Sequence, residues 1–470
     1  MVYRTARVGL RVTAGQRRRC FGLLVSAGDV WACVLDLSRW RRQDHLRPLV
    51  GYQELCRELA AAGPGTFGEL DSSGARSVLR RYSDAWFATA ARRRKDADST
   101  VRYPRRKRRL VPVCYYPGRF TLDGRRLRLP TACGCAPLWV WLDREIPYPA
   151  SQVRSVTVLN EGGRLFAEVT AEIPIVTYPA GEGPDPARVA GVDPGVIHPF
   201  AVAGPDGHGL LVSGRAIRAE TYLHLGDTKK RARATARRAP APGRAGSRRW
   251  KKTRARQRKA EGAHRRRVRQ AQHEAAADVV GWCVRHRVGT VKIGDPRGVL
   301  ALDAGRRHNK RLRDWRIGHL IGCLHDKAEQ AGIVTLLVDE RGTSSTCPHC
   351  RKRVPKPAGR CFSCPHCSFT GHRDLVGAAN IASRTPGGGP IQAGHPDRYP
   401  AWITHRRAGN HLPDVSPARR DPRRRPHHGD TRGSPGRPRP APPDVGTSLV
   451  HRTPAEREDH PTPPRPLGKR

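Results

Sequence analysis

Apolar and polar positions alternate along residues 2–13 (VYRTARVGLRVT), which predicts a half-buried strand with every second side chain on one face. The same period returns at 153–160 and 164–174, on either side of Glu161, Gly162 and Gly163, and predicts a β-hairpin turned there. Between these segments, residues 15–100 carry a mostly helical pattern broken at Gly63, Pro64 and Gly65. Beyond a Pro/Gly-rich stretch at 179–186 the pattern changes. Short unbroken apolar runs at 189–193 and 290–293 predict buried strands, and 333–339 predicts a third strand. Two long polar helical stretches fill 228–286, separated at 239–246, and a further helix at 315–330 is followed by Gly332 as its C-terminal stop. Alternating strands and helices of this kind predict an α/β domain.

Charge changes the picture. Lys and Arg number 88 against 41 Asp and Glu, a formal charge of +47. A charge of that size repels itself unless a polyanion neutralises it, and nucleic acid is the natural partner. Much of it is concentrated on the helical stretches, in Arg248, Arg249, Lys251, Lys252, Arg254, Arg256, Arg258, Lys259, Arg265, Arg266 and Arg267. These are the candidate nucleic-acid contacts, with a dispersed solvated face as the plainer alternative. Shorter basic clusters stand at 17–19, 92–95 and 105–109, and Trp86, Trp139, Trp141 and Trp250 are candidates for base stacking or for core packing. Residues 385–470 hold 18 of the 41 prolines, with 16 cations against 8 anions, and read as a disordered tail that contributes little of the charge. The N-terminal residues have no apolar signal region, and no apolar run of about 18 residues is apparent. A cytoplasmic protein with no membrane partner is expected, in a compartment where thiols stay reduced.

The 13 cysteines therefore suggest metal where they cluster. Cys347 and Cys350 form one C-x-x-C knuckle, Cys364 and Cys367 a second, 13 residues further on. Two such knuckles complete a four-thiolate shell around a structural Zn²⁺, with no open position for chemistry. Cys361, three residues before Cys364, offers a less favoured register.

Two carboxylates stand out. Asp193 ends a buried strand in the sequence GVDPG, and Asp374 lies in GHRD near a helix start just past the second knuckle. Each has a plainer reading, as a loop cap or a helix N-cap. Brought together they would hold divalent metal, and Mg²⁺ suits all-oxygen ligands in phosphodiester hydrolysis. The segments GVDPGVIHPFAV (191–202), WRIGHLIGCLHDKAEQAGIVTLLVDE (315–340), TSSTCPHC (343–350) and CPHCSFTGHRDLVGAANIA (364–382) resemble TnpB, the OrfB-type protein of bacterial insertion sequences. YPRRKRR (103–109) and the hairpin resemble that family's wedge region more weakly.

The resemblance implies an RNase H-like (RuvC) mixed sheet with an inserted four-cysteine zinc ribbon, an N-terminal β-barrel wedge and a helical recognition domain. The implied divisions are 1–187 for wedge and recognition, 188–342 for the first nuclease part, 343–370 for the ribbon, 371–384 for the last nuclease segment and 385–470 for the tail. It implies an RNA-guided DNA endonuclease with guide RNA and target DNA as partners, and Asp193 and Asp374 as its first and last catalytic acids. The oligomeric state is left open.

The family's middle acid is a glutamate ending the second strand, and Gly294 stands there. Three readings compete: Glu340, ending the neighbouring strand, replaces it; Asp295 replaces it, which needs a bulge because adjacent strand residues face opposite sides; or the site is dead and the protein is a guided DNA-binding regulator. A surface ion pair with Arg341 or Arg351 is the plainer role for Glu340.

Overall fold

The computed structural model describes residues 1–412, apart from 64–65, 97–98, 106–108, 176–182, 297–304, 306–308, 310–313, 356–358 and 386–398. The basic run at 105–109 thus falls partly outside the described residues, and most of the expected tail falls wholly outside them.

The N-terminal half packs three helices on one antiparallel sheet. Helix α1 (Ala14–Gln43) starts in a capping box: Gln16 N–H donates to the Thr13 hydroxyl, and the Thr13 N–H donates to the Gln16 side chain. Helix α2 (Tyr52–Ala61) follows, and α3 (Ser72–Lys95) is capped by Asp71. The sheet contains β1 (Val2–Arg11), β2 (Val113–Tyr115), β3 (Thr121–Asp123), β4 (Arg126–Leu129), β5 (Leu138–Leu142), β6 (Val153–Glu161) and β7 (Arg164–Ile173), in the order β2-β6-β7-β1-β5-β4-β3. The 153–174 hairpin is present, with Gly162 and Gly163 in the left-handed region that its turn requires. Among the described residues no pairing joins β2 to β3, so the pairings do not themselves close the barrel that the resemblance implies.

By length and composition α1 could cross a bilayer, contrary to the expectation that no run in the chain is apolar enough. Its apolar side is instead spent inside the protein: Leu23, Leu24, Ala27 and Trp31 are buried in a common core with Val78, Leu127 and Val156.

The second sheet follows the order β12-β11-β8-β9-β10-β15. Strands β8 (Asp185–Asp193), β9 (Phe200–Ala203) and β10 (His208–Ser213) form an antiparallel meander, and β11 (Val288–Asp295) and β12 (Val334–Asp339) extend it in parallel beside β8. The strand period of two sorts its faces. Ala190, Val192, Val291 and Ile293 face a core shared with helices α5 (Arg248–Arg285) and α6 (Ile317–Gln330). Gly191 and Gly294 face helix α7 (Arg373–Ala382) instead. A Cβ on Gly191 would stand 2.0 Å from the Ala378 carbonyl oxygen and 2.5 Å from the Ala382 nitrogen. Only glycine lets α7 lie that close to β8. Helix α4 (Arg215–Ala236) packs along α5.

Strand β15 (Trp402–Arg407) corrects the expectation that disorder begins at 385. It pairs in parallel with β10 from His208↔Trp402 to Ser213↔Arg407. Averaging over the Pro- and Arg-rich stretch that surrounds it hid a strand whose partner lies nearly two hundred residues earlier.

Candidate active site and metal centre

Asp193 is the last residue of β8 and projects toward α7: its Oδ2 is 2.7 Å from where a Cβ on Gly377 would stand. Asp374 is the second residue of α7 and is buried, at 9% exposure. The two acids act on each other electrostatically, together with Glu340. Burial first, then the charges of Asp374 and Glu340, push the Asp193 carboxyl well above the usual carboxylate range, and Arg373 and Arg360 offset only part of this.

Asp374 lies in the opposite setting. Burial alone would raise it, but a 2.8 Å hydrogen bond with His198 Nδ1 and the Arg360 charge outweigh burial and hold it low. Arg360 Nη1 donates to both of its oxygens, at 2.7 and 2.9 Å. The N-cap position of α7 belongs to His372, with no side-chain cap, so Asp374 is not the cap its plainer reading suggested.

Register places the candidates for the third acid on different faces. Val192 pairs with Ile293 and Gly294 with Val338, so the next residue of β8, Asp193, comes level with Gly294 on the same face. Asp295 is one step on and pairs with Asp339, with no bulge between β11 and β12. It shares the face of Val291 and Ile293, away from Asp193. Glu340 is two residues past Val338 and returns to the α7 face. Its Oε2 is 3.1 Å and its Cβ 3.3 Å from where a Cβ on Gly294 would stand. The glutamate fills the volume that the missing side chain would have occupied. Its carbonyl accepts a 2.8 Å bond from the Thr343 hydroxyl, so Thr343 shapes the turn into the ribbon.

The four knuckle sulfurs converge, all within 4.8 Å of one another. Cys347 and Cys367 are 3.6 Å apart, and Cys350 and Cys364 3.5 Å. Thiolates at about 2.3 Å from a tetrahedral zinc stand about 3.8 Å from each other, so the cluster fits a zinc ribbon. Cys361 is exposed on β13 (Cys361–Ser363) and outside the cluster, which excludes the other register. Strand β13 pairs with β14 (Thr370–His372), and β14 leads directly into α7. The Asn380 side chain donates to the Thr343 and Thr346 carbonyls, each at 2.7 Å, and ties α7 to the start of the ribbon.

The basic helix divides into two parts. Arg248, Arg249, Lys251, Lys252, Arg254, Arg256, Arg258 and Lys259 stand on the more open N-terminal part of α5. Arg265, Arg266 and Arg267 are half-buried and engaged: Arg267 Nε donates to Glu220 at 2.9 Å, Arg265 lies 3.9 Å from Glu161, and Arg266 covers the Phe166 ring. These three hold α5 against its neighbours. Trp139 and Trp141 point outward from β5, with Arg126 over both rings. Trp86 packs on Phe87 and Tyr103.

Sequence reasoning passed over His198 and Arg360, the two partners of Asp374. His198 lies within GVDPGVIHPFAV, five residues after Asp193, and that position was the available signal. Arg360 carried none, because only the ribbon's fold turns it toward α7.

Residues 173–300 match the family model described as a probable transposase (OrfB_IS605), and residues 318–381 match the Cas12f1-like TNB domain. No curated protein matches the chain. Among solved structures, a Cas12f1–sgRNA–target DNA complex is similar at 14% identity and a TM-score of 0.51, covering 78% of this chain and 82% of that one. A CRISPR-Cas_phi3 mini-RNA-guided endonuclease is similar at 10% identity and a TM-score of 0.40, covering 82% and 93%. The first likeness extends to the fold. The transposase model spans the segment that supplies Asp193, and the TNB model spans the one that supplies Glu340, the four cysteines and Asp374: the two matches together support a TnpB-type protein.

Proposed function

We propose that this chain is an RNA-guided, Mg²⁺-dependent DNA endonuclease of an insertion sequence, with Asp193, Glu340 and Asp374 as its catalytic acids. The observation that carries the reading is the position of Glu340 over Gly294, on the same face as Asp193. Three acids on one side of a sheet supply an oxygen-rich donor set for divalent cations, and burial, then the charges of Asp374 and Glu340, raise the Asp193 carboxyl. Bound there, Mg²⁺ would supply an activated water and stabilise charge on the departing 3′ oxygen.

The chain's own residues do the rest. His198 and Arg360 hold Asp374 in position and keep it ionised. Arg360 and Arg373 bring positive potential to a site that must admit a phosphodiester. The open cations of α5 supply backbone affinity without sequence selectivity. The order β10-β9-β8-β11-β12 supports a RuvC-like sheet, and the N-terminal sheet with its helices supports a wedge and recognition region. The similar Cas12f1 structure holds a guide RNA and target DNA, which supports these as partners.

The test is to purify the protein with its co-purifying RNA, sequence that RNA, and assay cleavage of a matched plasmid in Mg²⁺. Asp193→Ala and Glu340→Gln should each abolish cutting while RNA is retained. Cutting by Asp193→Ala would overturn the assignment. Target occupancy by the wild type with no cutting in any metal would make it a guided DNA-binding regulator.

A further inference from the structure

Behind the sheet, on the face away from α7, three metal-binding side chains meet where α5 crosses α6. His273 comes from α5; His319 and Cys323 are four residues apart on α6 and so share one face. Their donor atoms all lie within 4.8 Å of one another. Cys323 Sγ is 3.3 Å from His319 Nδ1 and 3.8 Å from His273 Nε2. Bond lengths of about 2.3 Å to sulfur and about 2.0–2.1 Å to nitrogen put tetrahedral S and N ligands about 3.6 Å apart. The two distances bracket that value.

We propose that His273, His319 and Cys323 form a second zinc site, separate from the ribbon, which staples α5 to α6. A thiolate with two neutral imidazoles is a zinc donor set, and His319 lies at the exposed edge, where the remaining position is open to water. Cys323 is buried, so an ion must displace its thiol proton to solvent on binding. Asp326 lies near and favours a cation, whereas Lys327 and Arg269 oppose one. The thiolate formed on binding would offset part of that opposing charge, and a site weaker than the ribbon follows. Its consequence is mechanical. Helix α5 carries the basic run, and α6 leads into β12, after which Glu340 stands.

The experiment is a Co²⁺ titration of the full-length zinc-stripped protein, read by absorbance and checked by elemental analysis after zinc loading. With excess Mg²⁺ present and the proposed acids replaced (Asp193→Asn with Glu340→Gln) so that they take no Co²⁺, this background should take up about two equivalents, and the same background with His319→Ala about one. The equivalent that is lost should carry a weaker thiolate-to-cobalt band than the ribbon's, from one sulfur rather than four. His273→Gln should behave like His319→Ala. Cys364→Ser should remove the ribbon signal and leave the second one. If that background binds the same number of ions with the same spectrum with and without His319→Ala, the site does not exist. The trio is then a pair of sulfur–imidazole contacts within the helix crossing.

Discussion

Replacing Gly294 by alanine tests the relocated acid without changing a charge. The new Cβ would stand 2.8 Å from Ile381 Cδ1, 3.1 Å from Glu340 Oε2 and 3.3 Å from Glu340 Cβ. Carbon atoms in comfortable contact are about 3.5–4.0 Å apart, so the methyl of Ile381 must yield by about 0.7–1.2 Å. Ile381 is fully buried, so its methyl can yield only by repacking inside the core. Glu340 is half-buried and must shift by several tenths of an ångström. Overpacking of this size costs about 1–3 kcal/mol, and the stiffer unfolded chain returns about 0.4–1 kcal/mol. The variant should therefore fold, with its melting temperature lowered by a few degrees. Misplacing a catalytic group by about 1 Å costs about a hundredfold, so the shift in Glu340 should slow plasmid cleavage by roughly ten- to a hundredfold. RNA retention should be unchanged. Adding Gly294→Ala to Glu340→Gln should cost nothing further in rate, because both act through one carboxylate. Wild-type cleavage by both Gly294→Ala and Glu340→Gln would refute the reasoning, and a loss in Asp295→Asn instead would reverse the register argument.

The remaining predictions concern charge and metal. The raised Asp193 carboxyl favours the folded state while protonated; this stabilisation is full below the unfolded carboxyl's range and fades as pH rises through the raised folded value. Without Mg²⁺, Asp193→Asn should therefore melt higher than wild type near neutral pH, converge with it in acid, and lose the stabilisation Mg²⁺ gives; parallel melting curves at every pH would contradict this. Stripping zinc, or Cys364→Ser, should loosen the ribbon, release Arg360 from Asp374 and reduce cleavage at least roughly tenfold, read beside circular dichroism to show the remaining domains intact. Neutralising Lys251, Lys252, Arg254, Arg256 and Arg258 together should weaken polynucleotide binding equally for all sequences and flatten its salt dependence, whereas Arg267→Ala should mainly lower stability, since it frees buried Glu220.

The sequence alone determined what short-range periodicity and spacing can encode. The 153–174 hairpin, the strands ending at Asp193 and Asp339, and the helix closed by Gly332 were legible because each is set by neighbours in the chain. Two knuckles of fixed spacing likewise specified the ribbon. Tertiary structure alone decided which carboxylate reaches Asp193, because register between β11 and β12 is a property of paired strands and not of either one. It also spent three of the basic residues on protein partners, brought His198 and Arg360 to Asp374, and recruited residues 402–407 as a sixth strand. Each of these depends on contacts between segments far apart in sequence, where no local pattern carries the information.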